Sequence, residues 1–171
     1  MKEKTNDKNR MGKAVVKHMR MLTMLLILVL AMAAPVNAKG GTRFLTATRI
    51  TKTVLDKLDL ENIDKVMIVA HPDDEMLWGG MHLIQDDYLV VCLTNANTRR
   101  YGKTRMREFK KVMEQTNDIG LMLNYPDYSS TGGIDNWTSC SKRIQEDLNT
   151  LLTYKNWKEV VTHNKQGEYG H

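Results

Sequence analysis

"KVMIVAHPDDEMLWGG", residues 65–80, sets a short apolar run directly against an imidazole, a proline and three acids. The run at 65–70 is rich in β-formers, which predicts a strand covered on both faces. From Glu75 to about Gln85, apolar Met76, Leu77, Met81 and Ile84 recur near helical spacing, which predicts a helix containing Gly79 and Gly80. His71, Pro72, Asp73, Asp74 and Glu75 therefore fall where strand turns into helix.

The same alternation continues outward. "YLVVCLT" (88–94) reads as a second buried strand and "NANTRRYGK" as a polar loop. Thr104 to Asp118 reads as a helix with Met106, Phe109, Val112, Met113 and Thr116 on one side, stopped by Gly120. "LMLNYPD" (121–127) starts as a strand and is broken at Pro126. Ser139 to Tyr154 predicts a helix with Ile144, Leu148, Leu151 and Leu152 apolar, and "EVVTHN" (159–164) a last strand. Strand–helix alternation with short links predicts an α/β fold: a Rossmann-like, mainly parallel sheet with helices on both faces. Ligands of such sheets bind beyond the carboxyl ends of the strands, so the segments after the first and last strands should face one crevice.

A length of 171 residues suits one domain. The net charge of +5 is concentrated at the start: of 25 Lys/Arg and 20 Asp/Glu, residues 1–38 hold seven and two, which leaves eighteen of each. The remainder is neutral, so no nucleic-acid partner is expected. The basic start, the apolar run at 21–34 and the small residues Val36-Asn37-Ala38 describe a signal peptide, with an uncleaved anchor as the alternative. Export to an extracellular, cell-envelope or secretory-lumen location follows, with membrane contact only through an uncleaved leader. Residues 39–61 form a lead-in able to carry a short helix, and 62–171 the domain proper. Cys92 lies inside an apolar run and is expected to be a buried free thiol; a pairing with Cys140 is the lesser reading.

Proline and acids are also favoured at a helix start, where they cap N–H groups and complement the dipole. Such a start requires neither histidine nor three adjacent acids, whose mutual repulsion opposes folding. Metal-assisted hydrolysis uses both. Imidazole and carboxylate bind Zn²⁺, and a neighbouring acid left free can serve as base toward water.

"AHPDDE" (70–75), followed in order by "VVCLTNAN", "RMRE" (105–108), "NYPD" (124–127) and "THNKQGEYGH" (162–171), resembles the PIG-L/LmbE-like family of zinc-dependent N-acetylglucosaminyl deacetylases. The resemblance covers residues 63–171 and implies that His71 and Asp74 are zinc ligands and Asp73 the general base. It implies that His171 is the first histidine of a later H-x-x-H motif, which stabilises the oxyanion or protonates the leaving amine. The motif's second histidine, the third zinc ligand, would lie three positions beyond His171, so a domain incomplete at its C-terminus is expected. The implied substrate is an N-acetylated amino sugar, free or on a glycolipid or cell-surface glycan.

Arg105, Asp127 and His163 are the candidate substrate contacts. For Arg105 with Glu108, a helix-surface ion pair is the equal alternative; for His163, a supporting hydrogen bond stands ahead of direct ligation. Glu168 and Tyr169 are candidates to orient His171. His82 reads as surface or packing, and Trp78, Trp137 and Trp157 as packing ahead of sugar stacking. Asn136-Trp137-Thr138 is a glycosylation sequon. Dinucleotide binding lacks a G-x-G-x-x-G. The competing functional class is a non-catalytic or degenerate carbohydrate-binding domain lacking the third ligand.

Overall fold

A computed structural model describes residues 41–96, 102–127 and 137–167. The leader at 1–38, the sequon's Asn136, and Glu168, Tyr169 and His171 lie outside them.

Five parallel strands, β1 (Phe44–Thr46), β2 (Lys65–Val69), β3 (Leu89–Thr94), β4 (Ile119–Tyr125) and β5 (Glu159–Thr162), form one sheet in the order β1-β4-β3-β2-β5. The helices are α1 (Lys52–Leu55), α2 (Asp74–Leu77), α3 (Gly80–Gln85), α4 (Gly102–Thr116) and α5 (Ser141–Tyr154). The fold is the α/β, Rossmann-like one that the alternation predicts.

Strand periodicity divides the core. On one face Val66 and Ile68 of β2, Val91 of β3 and Leu121 of β4 pack with Leu55 of α1 and Ile144 and Leu151 of α5. On the other, Met67, Val69, Val90, Cys92 and Met122 pack with Leu83 of α3 and Phe109 and Met113 of α4. All six residues of β3 are buried, because neighbouring strands and both helical layers cover it. Each buried aliphatic side chain contributes roughly 1.5–3 kcal/mol, so this sandwich is the main source of stability.

Three expectations are corrected. The helix after β2 is broken in two, and its presumed core residues Met76, Leu77, Met81 and Ile84 are 45%, 65%, 65% and 70% exposed. Gly79 explains the break. A Cβ there would lie 2.5 Å from Met67 Cε and 2.9 Å from the Glu75 carbonyl oxygen, so the chain passes too close to the sheet for any side chain. Glu75, Gly79 and Leu83 are buried instead. Gly79 thus stands at the junction between α2 and α3, and Gly80 opens α3.

Gly120 is no helix stop. It sits inside β4, where a Cβ would meet Phe44 Cδ2 at 2.8 Å, and α4 ends at Thr116, followed by Asn117, whose φ of 64° is left-handed. In α5, Ile144 and Leu151 bury while Leu152 is 43% exposed.

The lead-in carries more than a helix. β1 pairs in parallel with β4, with Leu45 opposite Leu121, and extends the sheet at its edge. Arg49 then reaches Asp147 on α5 at 2.7 Å; that carboxylate is fully buried and also accepts from Tyr125 Oη at 2.7 Å. Cys92 and Cys140 are both buried, and no disulfide joins them.

Candidate metal and hydrolytic site

The connection from β2 goes to β3 on one side, whereas β5 lies against β2 on the other. The strand order therefore reverses between β2 and β5, and in sheets of this kind the ligand crevice lies beyond the carboxyl ends at such a point. His71 follows β2 and His163 follows β5. The register Ile68↔Thr162 brings the two strand ends level.

Asp74 is the hub. It begins α2, is 3% exposed, and its Oδ2 accepts from the His71 backbone N–H at 2.8 Å. The same oxygen lies 3.5 Å from His71 Nδ1 and 3.1 Å from His163 Nε2. Burial pushes the Asp74 carboxyl up, but the His71 side chain and backbone N–H and the field of His163 outweigh it and hold the group below its ordinary value. Asp74 therefore stays ionised.

His71 is held from its far side, since its Nε2 lies 2.8 Å from Asp127 Oδ1. An ionised carboxylate only accepts, so this nitrogen carries the hydrogen and Nδ1 is left facing Asp74. The Asp74 carboxylate beside Nδ1 raises the His71 pKa, burial lowers it, and Asp127 raises it again, for a net upward shift. At 3.5 Å the Nδ1 contact exceeds ordinary hydrogen-bond length, so charge attraction dominates it. The gap suits a cation between the two groups: a proton in acid, a metal ion otherwise.

His163 Nε2 is also 3.2 Å from the Ala70 backbone nitrogen. One ring nitrogen cannot accept from Ala70 and donate to Asp74 in the same tautomer. The Ala70 backbone N–H is the donor, so Nε2 accepts and its 3.1 Å approach to Asp74 Oδ2 is a close contact without a hydrogen bond from that nitrogen.

Asp73 turns away from this hub. Its carboxylate is 41% exposed and pairs with Arg105 Nη2 at 3.3 Å, while Arg105 Nη1 pairs with Glu108, also at 3.3 Å. Arg105 thus links α4 to the motif in addition to making the helix-surface pair. Asp127, read from sequence as a substrate contact, has a protein partner in His71.

Sequence reasoning passed over Glu75. It is 1% exposed, its Oε2 has no hydrogen-bond partner among the described residues, and burial pushes its carboxyl up to about 7. No sequence signal marked it, because Glu75 turns inward only as Met76 and Leu77 turn outward, and helical spacing does not give that direction. Burial likewise raises the Cys92 thiol, so it is no nucleophile.

Away from the crevice, His82 contacts Tyr88 Oη at 3.3 Å. Trp137 and Trp157 donate to the carbonyls of Pro126 and Leu151 and pack on the core, whereas Trp78 is 42% exposed. Among the described residues, no three His, Cys, Asp or Glu side chains converge on a position that could hold a metal ion, and no helix is long and apolar enough to cross a membrane. The residues fit two ligands, His71 and Asp74, with His163 beside them.

No family model matches the chain, and no solved structure does. The chain is similar to an uncharacterized protein of Acanthamoeba polyphaga mimivirus, 36% identical over 121 residues, which are 63% of this chain and 52% of that protein. It thus spans about half the length of the curated relative it matches.

Proposed function

We propose that this domain hydrolyses the acetamide of an N-acetylated amino sugar by a metal-dependent route of the PIG-L/LmbE type. The observation that carries the reading is the facing of two acceptors, His71 Nδ1 and Asp74 Oδ2, across 3.5 Å at the sheet's switch point. His71 and Asp74 would hold Zn²⁺, which would supply a Lewis acid and a water of lowered pKa.

The protein's own groups divide the remaining work. Asp127 fixes the His71 ring, so that Nδ1 faces Asp74. The two histidines and the His71 backbone N–H keep Asp74 anionic against the opposing effect of burial. Asp73, half-exposed and aligned by Arg105, takes a proton from the attacking water. The water oxygen bonds to the carbonyl carbon, the C–N bond breaks, and the proton passes to the departing amine, giving acetate and the free amino sugar. His171, outside the described residues, keeps its expected role of oxyanion stabiliser or proton donor. Export to a cell envelope or secretory lumen belongs to the same proposal and rests on the basic-then-apolar leader.

The test is acetate release from N-acetylglucosamine glycoconjugates by the full chain with zinc and with a chelator. The reading requires zinc-dependent release that Asp73→Asn reduces at least a hundredfold. The absence of three converging ligands among the described residues favours a second reading, a degenerate domain that binds sugar without cleaving it. Saturable sugar binding with no acetate at any zinc concentration would establish that reading instead.

A further inference from the structure

Trp137 adopts a backbone conformation that its bulk disfavours. Its φ is 58°, in the left-handed region, where large side chains are rare. Such a conformation persists only where surrounding contacts over-determine it, and such residues gather at functional sites. Tertiary contacts hold Trp137 there. Its ring packs against the core cluster that contains Cys140 and Ile144, and its indole N–H donates to the Pro126 carbonyl at 2.6 Å. Pro126 immediately precedes Asp127, whose carboxylate meets His71 Nε2 at 2.8 Å. The strained residue is thus one hydrogen bond and one peptide link away from the contact that fixes the His71 ring.

The same stretch of chain is tied to α5 at a second point. Tyr125, the last residue of β4, donates from its Oη to Asp147 of α5 at 2.7 Å. Arg143, one turn earlier on α5, lies over the Tyr125 ring, 5.2 Å from its centroid. Trp137 itself leads into α5, its carbonyl accepting from the Cys140 N–H at 3.1 Å. Tyr125 and Pro126 are therefore both held by α5 or its entry, and Asp127 follows them in the chain. A hydrogen bond weakens steeply as its angle opens, so a small shift of Pro126 carries through to His71. Trp157 provides the contrast. Its indole N–H donates to the Leu151 carbonyl at 2.8 Å, and its ring packs on the same cluster. That bond ties α5 to the segment after it, not to Pro126 and Asp127.

We propose that Trp137 is a positioning residue: by holding the Pro126 carbonyl it sets Asp127 against His71 Nε2 and keeps Nδ1 toward Asp74. The effect on the ring stands on these contacts alone; its consequence for zinc rests on the metal-dependent reading. The indole thereby acts at the site through its N–H, a task that neither core packing nor sugar stacking includes.

The test sets Trp137→Phe beside Trp157→Phe in the full chain. Each removes an indole N–H and keeps an aromatic ring on the same cluster. Nitrogen-15 NMR of histidine-labelled protein in chelator reads the His71 tautomer, with His71→Asn assigning its signals. Wild type is expected to show the Nε2–H form, and Trp137→Phe to add a resolved population of the Nδ1–H form. Zinc affinity in Trp137→Phe is expected to fall about tenfold, the lower end of what outer partners of ligating histidines contribute. Trp157→Phe is expected to keep the wild-type tautomer and a zinc affinity within twofold, whatever it does to Tm. An unchanged His71 tautomer in Trp137→Phe, the same change in Trp157→Phe, or a wild-type ring already in both forms overturns the positioning role. Tyr125→Phe, which releases the tie to Asp147, carries the test if Trp137→Phe fails to fold, with the same tautomer change expected. If wild type binds no zinc, the metal-dependent reading fails on its own, and the tautomer alone decides the role of Trp137.

Discussion

His71 and Asp127, 56 residues apart, are joined by a 2.8 Å contact that fixes which imidazole nitrogen faces Asp74. The contact ties the turn after β2 to the loop after β4. Removing it frees the ring without touching either proposed ligand. Outer partners of metal-binding histidines typically contribute 10–100-fold to affinity. Asp127→Ala is therefore expected to weaken zinc binding by that factor, with an unchanged far-ultraviolet circular dichroism spectrum. Chelator competition reads the affinity.

Glu75 and Asp118 make the metal-free protein less stable as pH rises. Burial raises their folded-state pKa values to about 7 and about 6, above the ordinary 4.5 and 3.8. Between the unfolded and folded values the native state binds the extra proton, so stability falls with rising pH through about 4 to 7 and levels off above. Below that window both groups are protonated in either state and cost nothing. Glu75→Gln should accordingly raise Tm at pH 8 and leave it near the wild-type value at pH 4, by thermal denaturation in chelator.

Asp147 anchors the lead-in to the body of the sheet through Arg49 and Tyr125. Breaking a buried pair costs about 3–5 kcal/mol, and Arg49, partly in water, recovers some of that. Asp147→Ala is expected to lower unfolding free energy by about 2 kcal/mol in urea titration. Asp147→Asn, which keeps the acceptor for Tyr125, should lose less.

Gly79 sets how closely the motif's turn approaches β2. In Gly79→Ala the new Cβ meets Met67, whose side-chain end can move, and the Glu75 carbonyl, which cannot. Overpacking of this kind costs about 1–3 kcal/mol. Because the displaced backbone carries Asp74, zinc affinity should fall along with stability, as calorimetry of the variant would register.

The parallel sheet was legible because buried strands announce themselves as uninterrupted apolar runs, as in residues 88–94. The motif was legible because polar residues crowd the carboxyl end of such a run. Three-residue β1 was not, since "FLT" has no periodicity to read and pairs with a strand far along the chain. The outward turn of Met76, Leu77, Met81 and Ile84 was hidden for a different reason. Helical spacing names a stripe but not its direction, and the direction is set by Gly79 pressing on Met67, a tertiary contact. The bond from Asp127 to His71 likewise exists only once β4 lies beside β3.

The most direct measurement is calorimetric titration of the full chain with zinc, in wild type and in Asp74→Asn. One zinc per wild-type chain, with affinity at least a hundredfold weaker in the variant, is the expected result. Absence of saturable binding in wild type, or equal affinity in the two proteins, would contradict a cation held between His71 and Asp74.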